Sequence, residues 1–138
     1  MRAWFVSKGT RLESLRATRE MAPYPDRHLE RLLPYFDEVT LPAGTLIALE
    51  GEPCSEFVVV VRGRLQAGSR LLGAGESVGW EAMWEREANS ATVIVEADAQ
   101  LLVMSHSQFR AVKALAKPTL PATFRGEGLK ANQPIVRA

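Results

Sequence analysis

The sequence predicts a mainly β fold, an antiparallel β-roll (jelly roll) flanked by short N- and C-terminal α-helices. From residue 38 to residue 104 the chain reads as short β-type runs, and Gly or Pro stands at most of the joints between them. Many short strands at close spacing favour an antiparallel sandwich or barrel over a parallel sheet. Amphipathic stretches with helical spacing stand on both sides of this region. With 138 residues, the chain has the usual length of one domain with its own core.

The first helical stretch lies in residues 1–25, which we interpret as a partly helical N-terminal arm. The pattern predicts a helix over residues 10–21, ended by the breaker APYP. A second, short helix is predicted over residues 26–36, with Asp26 as its N-cap. Its apolar face consists of Leu29, Leu32, Leu33 and Phe36. Because these residues recur at helical spacing, we expect the second helix to pack against the core.

The central region supplies the strands of the predicted roll. The β-type runs are EVTL, TLIALE, FVVVV, RLQA, RLL, ATVIVEA and QLLVM. Arg62 and Gly63 are read as a joint between two short strands, and Asp98 as an acidic turn between the last two. The run at residues 57–61 is apolar on both faces, so we expect it to be a central strand that is covered on both sides.

A third helix is predicted to begin after these strands. Ser105 as N-cap and Gln108 three residues later form a capping box. Phe109, Val112 and Leu115 form its apolar face, and Pro118 ends it. The β-roll domain is therefore expected over residues 26–116, followed by a flexible tail at residues 117–138, which contains three prolines and two glycines.

Composition argues against several classes of function. The single cysteine, Cys54, rules out an intramolecular disulfide and clusters held by several cysteines. His28 and His106 lie far apart in sequence, so no metal site and no cofactor are expected. No nucleophile and base stand together in a plausible site, which argues against an enzyme. No apolar run approaches the roughly 20 residues of a membrane span, so we expect a cytoplasmic protein without membrane contact.

The net charge of +1 is unevenly distributed. Residues 1–25 and residues 117–138 each carry an excess of three positive charges, whereas residues 26–116 carry an excess of five negative charges. An acidic body is a poor platform for nucleic acid. The basic ends either solubilise the chain or contact an acidic partner.

Four turn motifs at suitable spacing carry a resemblance to a known family. They are PAG at residues 42–44, EGEP at residues 50–53, the Arg62-Gly63 dipeptide, and LGAGES at residues 72–77. Together with the order of helix, strands and helix, they resemble the cyclic-nucleotide-binding domain of the catabolite-activator and protein-kinase-regulatory-subunit superfamily, over about residues 28–116. Tight corners of this kind need the conformational freedom of glycine.

The resemblance implies a phosphate-binding cassette, built from a turn, one short helix and the following strand. In members that bind cyclic AMP or cyclic GMP, the cassette reads roughly Phe-Gly-Glu-Leu-Ala and then Arg-(Ala/Ser)-Ala-Thr. Backbone N–H groups of the short helix surround the cyclic phosphate. The arginine pairs with the phosphate oxygens, and the glutamate accepts a hydrogen bond from the ribose 2′-hydroxyl.

In this chain, the resemblance places two different side chains at the recognition positions. The candidate ligand-binding residues are Val78, Gly79, Trp80, Glu81, Ala82, Arg86, Asn89, Ser90, Ala91 and Thr92. Gly79 matches the family pattern, but Trp80 stands in place of the glutamate and Asn89 in place of the arginine. The loss of a charged hydrogen bond costs on the order of 1.5–3 kcal/mol, or roughly 10- to 150-fold in affinity.

Neighbouring residues leave alternatives open. Glu81 is one residue late, which is about 100° of helical rotation, so its carboxylate is expected to point away from the ribose position. Arg86 either reaches inward towards a phosphate or is a solvated charge paired with Glu85 or Glu87. Trp80 and Trp84, at i and i+4, are expected to share a face. Three roles are open for the two indoles. They either fill the space that a nucleotide would occupy, form an aromatic wall for an apolar or planar ligand, or contact a partner.

The sequence therefore favours a non-catalytic regulatory or sensor module that does not bind cAMP or cGMP in the usual way. Its ligand would be a small molecule, nucleotide-like or apolar. The alternative is a protein–protein interaction or oligomerisation module with a vestigial pocket, in a homodimer or with another protein. The residues after the last helix are too few for a helix-turn-helix domain, so we expect no sequence-specific DNA binding by the chain itself.

Overall fold

The computed structural model describes residues 7–116, with side chains to Lys113. The expectations for residues 1–6, for the apolar contact of Leu115 and for the flexible tail at 117–138 lie outside the described residues. The helices are α1 (Lys8–Ala17), α2 (Asp26–Leu32), α3 (Trp80–Glu85) and α4 (His106–Ala116), with a 3-10 turn at Leu33–Tyr35. The strands are β1 (Asp37–Leu41), β2 (Leu46–Ala48), β3 (Glu56–Ala67), β4 (Arg70–Leu72), β5 (Ser77–Val78) and β6 (Val93–Ser105). The predicted fold class, an antiparallel β-roll with short helices, is confirmed.

All strand pairs of the sheet are antiparallel. The main order is β1-β6-β3-β4, with β2 also paired to β6 and β5 to β3. The β3–β6 pair runs from Glu56 opposite Ser105 to Ala67 opposite Val93. The run at residues 57–61 is buried throughout, as expected for a central strand. Because β5 pairs with β3, the cassette packs against this strand.

Two pairs of predicted runs each form a single long strand in the structure, β3 and β6. Arg62 and Gly63 do not separate two strands, because β3 continues through them with a shift in register against β6. Gly63 has φ 87°, and a β-carbon there would overlap the carbonyl oxygen of Asp98. The joint is a β-bulge. Asp98 is likewise not a turn but a residue of β6, and its carboxylate accepts a hydrogen bond from the Ala43 N–H at 2.9 Å.

The helix boundaries also differ from the predicted ones. The first helix covers Lys8–Ala17 instead of residues 10–21, because Ser7 caps its start and accepts a hydrogen bond from the Thr10 N–H. Asp26 is the first helical residue of α2, and Pro25 occupies the N-cap. The Asp26 carboxylate instead forms an ion pair with Arg16 at 3.1 Å.

The predicted packing faces and the last capping box are confirmed. The four residues of the second helical stretch are buried, namely Leu29, Leu32, Leu33 and Phe36. The Gln108 N–H donates to the Ser105 hydroxyl at 3.2 Å, and the Ser105 N–H donates to the Gln108 side chain at 2.7 Å. Phe109 and Val112 are buried below this cap.

The arm packs on the roll. Leu12, Leu15, Met21 and Tyr24 belong to the same buried cluster as Phe57 of β3. A second buried cluster lies between the strands of the roll. Residues 7–25 therefore share a hydrophobic core with the sheet, and this contact brings the α1–α2 connection to the edge of the cassette.

Candidate functional site

A cavity of about 660 Å³ opens beside the cassette. Its walls come from β2 and the following corner, the start of β3, the α1–α2 connection, the cassette itself and the loop before β6. Cavities of roughly 300–1,000 Å³ are typical of small-molecule sites. The cavity therefore has the size of a ligand site and lies where the sequence places the cassette.

Gly79 joins the cassette to β3. It follows β5, is the N-cap of α3, and has φ 103°. A β-carbon at Gly79 would overlap the carbonyl oxygen of Glu56. Val78, the residue before Gly79, pairs with Val58, two residues after Glu56. Glycine is thus required here by the close approach of two backbones, whatever the cavity binds.

Trp80 lies in the hydrophobic core. It borders the cavity with only 2% of its surface exposed. The centroid of its ring is 4.8 Å from that of Phe57 and 5.7 Å from that of Phe109. The indole is therefore packed between α3, β3 and α4, an arrangement that differs from the three roles considered from the sequence.

Trp84 shares a face with Trp80, as predicted from their spacing. Their ring centroids are 6.0 Å apart, with the rings at 73°. Trp84 is half-buried against the core cluster, and the Lys113 ammonium lies 5.0 Å from its ring centroid. The two indoles thus fix the cassette helix to α4.

Glu81 follows Trp80 on α3. It is exposed and lines the cavity. The direction of its carboxylate relative to a bound ribose stays a prediction. Val78 and Ala82 line the same wall.

Asn89 holds the corner between β2 and β3. Its side-chain amide donates to the carbonyl oxygen of Leu49 at 2.9 Å. Its backbone N–H donates to the carbonyl of Glu52, and its own carbonyl accepts from the Gly51 N–H. Asn89 lines the cavity, but one donor of its amide is already engaged with the protein backbone.

The remaining cassette residues fall into two groups. Ser90 and Ala91 line the cavity, whereas the Thr92 hydroxyl accepts a hydrogen bond from the Glu50 N–H at 3.0 Å and so supports the same corner as Asn89. Arg86 has φ 57°, ends α3 and is exposed outside the cavity wall. The choice between the two roles considered for Arg86 stays a prediction.

The charged residues of the wall are mostly acidic. Six carboxylates line the cavity: Glu20, Glu52, Glu56, Glu76, Glu81 and Glu87. Two arginines, Arg19 and Arg70, accompany them. The sequence placed only some of these glutamates near the cassette and missed both arginines, because Arg19 arrives through the folding back of the arm and Arg70 through β4. No local pattern in the sequence marks either arginine.

The arm is attached directly to the edge of the cassette. The Ser77 hydroxyl donates to a carboxylate oxygen of Glu20 at 2.7 Å. A β-carbon at Gly75 would lie 2.9 Å from the β-carbon of Ala17, so the two segments are in close contact. The α1–α2 connection therefore forms part of the cavity wall.

Glu56 and Cys54 lie where the cavity meets β3. Burial raises the pKa of the Glu56 carboxyl above its ordinary value. Burial also raises the pKa of the Cys54 thiol, whose sulfur lies 3.5 Å from the Glu56 carbonyl oxygen and 3.6 Å from that of Gly79. A half-buried thiol with a raised pKa is a poor nucleophile, and Cys54 packs against the core cluster.

Among the described residues, no three His, Cys, Asp or Glu side chains are grouped so that they hold a metal ion. None of the helices within residues 7–116 has the length and apolar character needed to cross a membrane.

Comparison with solved structures shows the fold. The N-terminal domain of a transcriptional regulator from Streptomyces coelicolor A3(2) superposes with a TM-score of 0.72 and 21% identity, covering 87% of this chain and 90% of that one. The regulatory domain of Toxoplasma gondii PKA, co-crystallised with cAMP, gives 0.69 and 16%, covering 92% of this chain and 56% of that one. A proposed cyclic nucleotide binding protein from Ruegeria pomeroyi DSS-3 gives 0.68 and 13%, covering 80% and 53%. The chain thus spans about half the length of the last two proteins.

The sequence itself decides the family. No curated protein matches the chain. The family model of the cyclic nucleotide-binding domain, however, matches residues 38–114, which is more than half of the sequence. This range contains five of the six strands in full, most of β1, the cassette and most of α4. The chain belongs to the cyclic nucleotide-binding domain family.

Proposed function

We propose that this chain is a non-catalytic regulatory sensor module whose cavity receives a small ligand. We further propose that the cavity does not bind cAMP or cGMP in the usual way. The observation that carries the proposal is the engagement of Asn89. At the position where nucleotide-binding members have an arginine, this chain has a neutral amide that donates to the Leu49 carbonyl oxygen. The cassette therefore keeps its backbone frame without the charged group that pairs with a phosphate.

The negative charge of the cavity wall also opposes the binding of a cyclic nucleotide. A cyclic nucleotide carries one negative charge on its phosphate. Six carboxylates and two arginines line the cavity, an excess of four negative charges. Like charges at short range oppose the entry of an anion. Even without this repulsion, the exchange of arginine for asparagine costs roughly 10- to 150-fold in affinity.

Isothermal titration of the purified chain with cAMP and with cGMP tests the proposal. We expect no saturable binding up to millimolar nucleotide. The matched variants are Asn89→Arg, which restores the cation, and Asn89→Gln, which keeps a neutral amide. Trp80→Glu is unsuitable as a partner change, because it places a carboxylate in the core. Saturable micromolar binding by the unmodified chain would overturn the proposal.

An outer face of the sheet favours a second candidate function, a protein–protein interaction or oligomerisation module. Leu46, Ile94 and Leu71 are 51%, 39% and 55% exposed. Leu46 pairs with Ile94, Ile94 with Gln66, and Gln66 with Leu71, so the four residues form one row across the sheet. Exposed apolar rows of this kind are candidates for protein contacts.

Mass measurement by light scattering over a range of concentrations tests this candidate. An interaction through the row gives a mass that rises with concentration and falls back to the monomer in an Ile94→Ser, Leu71→Ser double variant. Ser90→Ala, on the exposed loop before β6, is the control. A monomeric mass at all concentrations would count against self-association.

A further inference from the structure

We propose that Arg70 contacts the ligand of the cavity, and that this ligand is an uncharged guanine-type nucleoside. Two adjacent hydrogen-bond acceptors of the base face the Arg70 guanidinium in the complex. The inference rests on the proposed function, because it takes the same cavity of about 660 Å³ as the ligand site. It names the group on the wall that selects the ligand and the chemistry that this group recognises.

Strand pairing places Arg70 on the inner face of the roll. Arg70 is paired with Ala67 of β3, and Ala67 is paired with Val93 of β6. Ala67 and Val93 are both buried in the cluster between the strands of the roll. Directly paired residues lie on the same face of an antiparallel sheet. The Arg70 side chain therefore leaves β4 on the cavity side, and Arg70 lines the cavity.

The polarity of β4 is the reverse of the usual pattern. In an antiparallel strand with one solvated face, apolar residues point inward and polar residues point outward. Leu71, however, lies on the outer face and is 55% exposed, whereas the charged Arg70 lies on the inner face with the buried Leu72. An exchange of Arg70 and Leu71 would bury a leucine and solvate an arginine, so stability alone does not explain this order.

The donors of the Arg70 guanidinium are available to a ligand. Within the part of the chain that the structure describes, no hydrogen bond or ion pair engages this side chain. Arg64 of the neighbouring strand β3, by contrast, pairs with Glu96. Arg19, which also lines the cavity, lies in the connection after α1, where no strand pairing fixes its direction. Arg70 is thus a wall cation with a known direction and with free donors.

The turn before Arg70 lies against the segment where nucleotide-binding members have their arginine. The Gly68 N–H donates to the Thr92 carbonyl oxygen at 3.0 Å. A β-carbon at Gly68 would lie 3.5 Å from the β-carbon of Ala91. Asn89 stands in the same segment, with its amide engaged by the protein backbone. In this cavity the cationic donor is therefore on β4 and not in the cassette.

The chemistry of a guanidinium and the charge of the wall together indicate the class of ligand. A guanidinium donates two parallel hydrogen bonds to a carboxylate, to a phosphate, or to two adjacent neutral acceptors such as O6 and N7 of guanine. The excess of carboxylates on the wall opposes the two anionic groups. A guanine-type nucleoside has the paired acceptors and carries no phosphate. Its size suits a cavity within the range of roughly 300–1,000 Å³ that small-molecule sites have.

Isothermal titration of the purified chain with guanosine tests the inference. Adenosine is the matched nucleoside, because its base presents a donor beside the N7 acceptor in place of a second acceptor. We expect saturable binding of guanosine, and binding of adenosine that is weaker by about tenfold or more. cGMP, which has the same base and a charged phosphate, is expected to show no saturable binding, in agreement with the proposed function.

Variants of β4 locate the binding. Arg70→Gln is expected to weaken guanosine binding by about tenfold or more. Arg27→Gln, at an exposed position on α2 outside the cavity wall, is the matched control and leaves the binding unchanged. The exchange variant, with Arg70→Leu and Leu71→Arg, keeps the composition of the strand and is expected to abolish the binding. Circular dichroism of each variant confirms that the fold is kept.

The outcomes separate this inference from the proposed function. Absence of guanosine binding, equal binding of adenosine, or equal losses in Arg27→Gln and Arg70→Gln would overturn the inference while cAMP and cGMP stay silent. Absence of guanosine binding together with self-association of the exchange variant would instead assign the inward charge of Arg70 to the protection of an edge strand. Saturable micromolar binding of cAMP or cGMP by the unmodified chain would overturn the proposed function, whatever guanosine does.

Discussion

Gly79 and Glu56 are in direct backbone contact, so close that the carbonyl oxygen of Glu56 occupies the space of a β-carbon at Gly79. The contact joins the N-terminus of the cassette helix to the start of the central strand β3. The resemblance places this glycine in the phosphate-binding cassette. In this chain the fold alone accounts for it.

Gly79→Ala is therefore expected to destabilise the protein. The variant forces an L-residue to φ 103° and drives its β-carbon into the Glu56 carbonyl. Strain of this kind costs on the order of 1–3 kcal/mol, before the overlap is counted. The free energy of unfolding, measured in urea, gives the loss.

Gly73→Ala is the matched control for this change. Gly73 lies in the glycine-rich turn before β5, and a β-carbon there meets no atom within 4 Å. We expect a change within about 0.5 kcal/mol. Equal losses in the two variants would contradict the backbone-contact argument.

Trp80→Ala tests the assignment of the indole to the core. Removal of a fully buried tryptophan is expected to cost about 3–5 kcal/mol. A small loss of stability would contradict the assignment of the indole to the core. Leu71→Ala, at a large apolar residue that is 55% exposed, is the comparison and should change the unfolding free energy by less than about 0.5 kcal/mol.

Asn89→Ala tests the structural role of the amide. The variant loses the hydrogen bond to the Leu49 carbonyl, which contributes about 1 kcal/mol. Ser90→Ala, at the next residue and exposed, serves as the control. Denaturant midpoints of the two variants give the comparison, and an unchanged midpoint for Asn89→Ala would show that the amide is dispensable for the corner.

Glu56 predicts a dependence of stability on pH. Its pKa in the folded chain is raised by burial above its ordinary value of 4.5. The folded state therefore binds the proton more tightly than the unfolded state does. The stability that this contributes is complete below pH 4.5 and is lost as the pH rises through the folded pKa.

Glu56→Gln removes this contribution. The difference in unfolding free energy, variant minus unmodified chain, should therefore increase as the pH rises from about 4 to about 7. Urea unfolding at several pH values measures it, with Glu30→Gln to account for the loss of one carboxylate on the surface. A difference that stays constant with pH would contradict the prediction.

Much of the fold follows from local patterns. The apolar face of the second helix and the capping box at Ser105 and Gln108 depend on residues three or four apart, so the sequence predicts them correctly. The long strands do not follow in this way. In the sequence, Gly63 resembles the end of a strand. The close contact of its backbone with Asp98 of β6, which is distant in sequence, shows that it is a bulge within β3.

The site was predictable in its backbone and less so in its side chains. The sequence located the cassette and the exchange of arginine for Asn89. It did not predict that Trp80 packs into the core, because that packing depends on Phe57 and Phe109, which are distant in sequence. It also missed Arg19 and Glu20, since these reach the cavity only when the arm packs on the sheet.

The pair of indoles on α3 also gives the protein an optical signal of its own. Trp80 and Trp84 lie 6.0 Å apart at 73°, close enough for their electronic transitions to couple, and the third tryptophan, Trp4, lies outside the described residues. Such coupling gives an exciton band in the circular dichroism spectrum whose sign and size depend on the geometry of the two rings. Any ligand or partner that shifts the cassette helix against α4 is therefore expected to change this band, without a label.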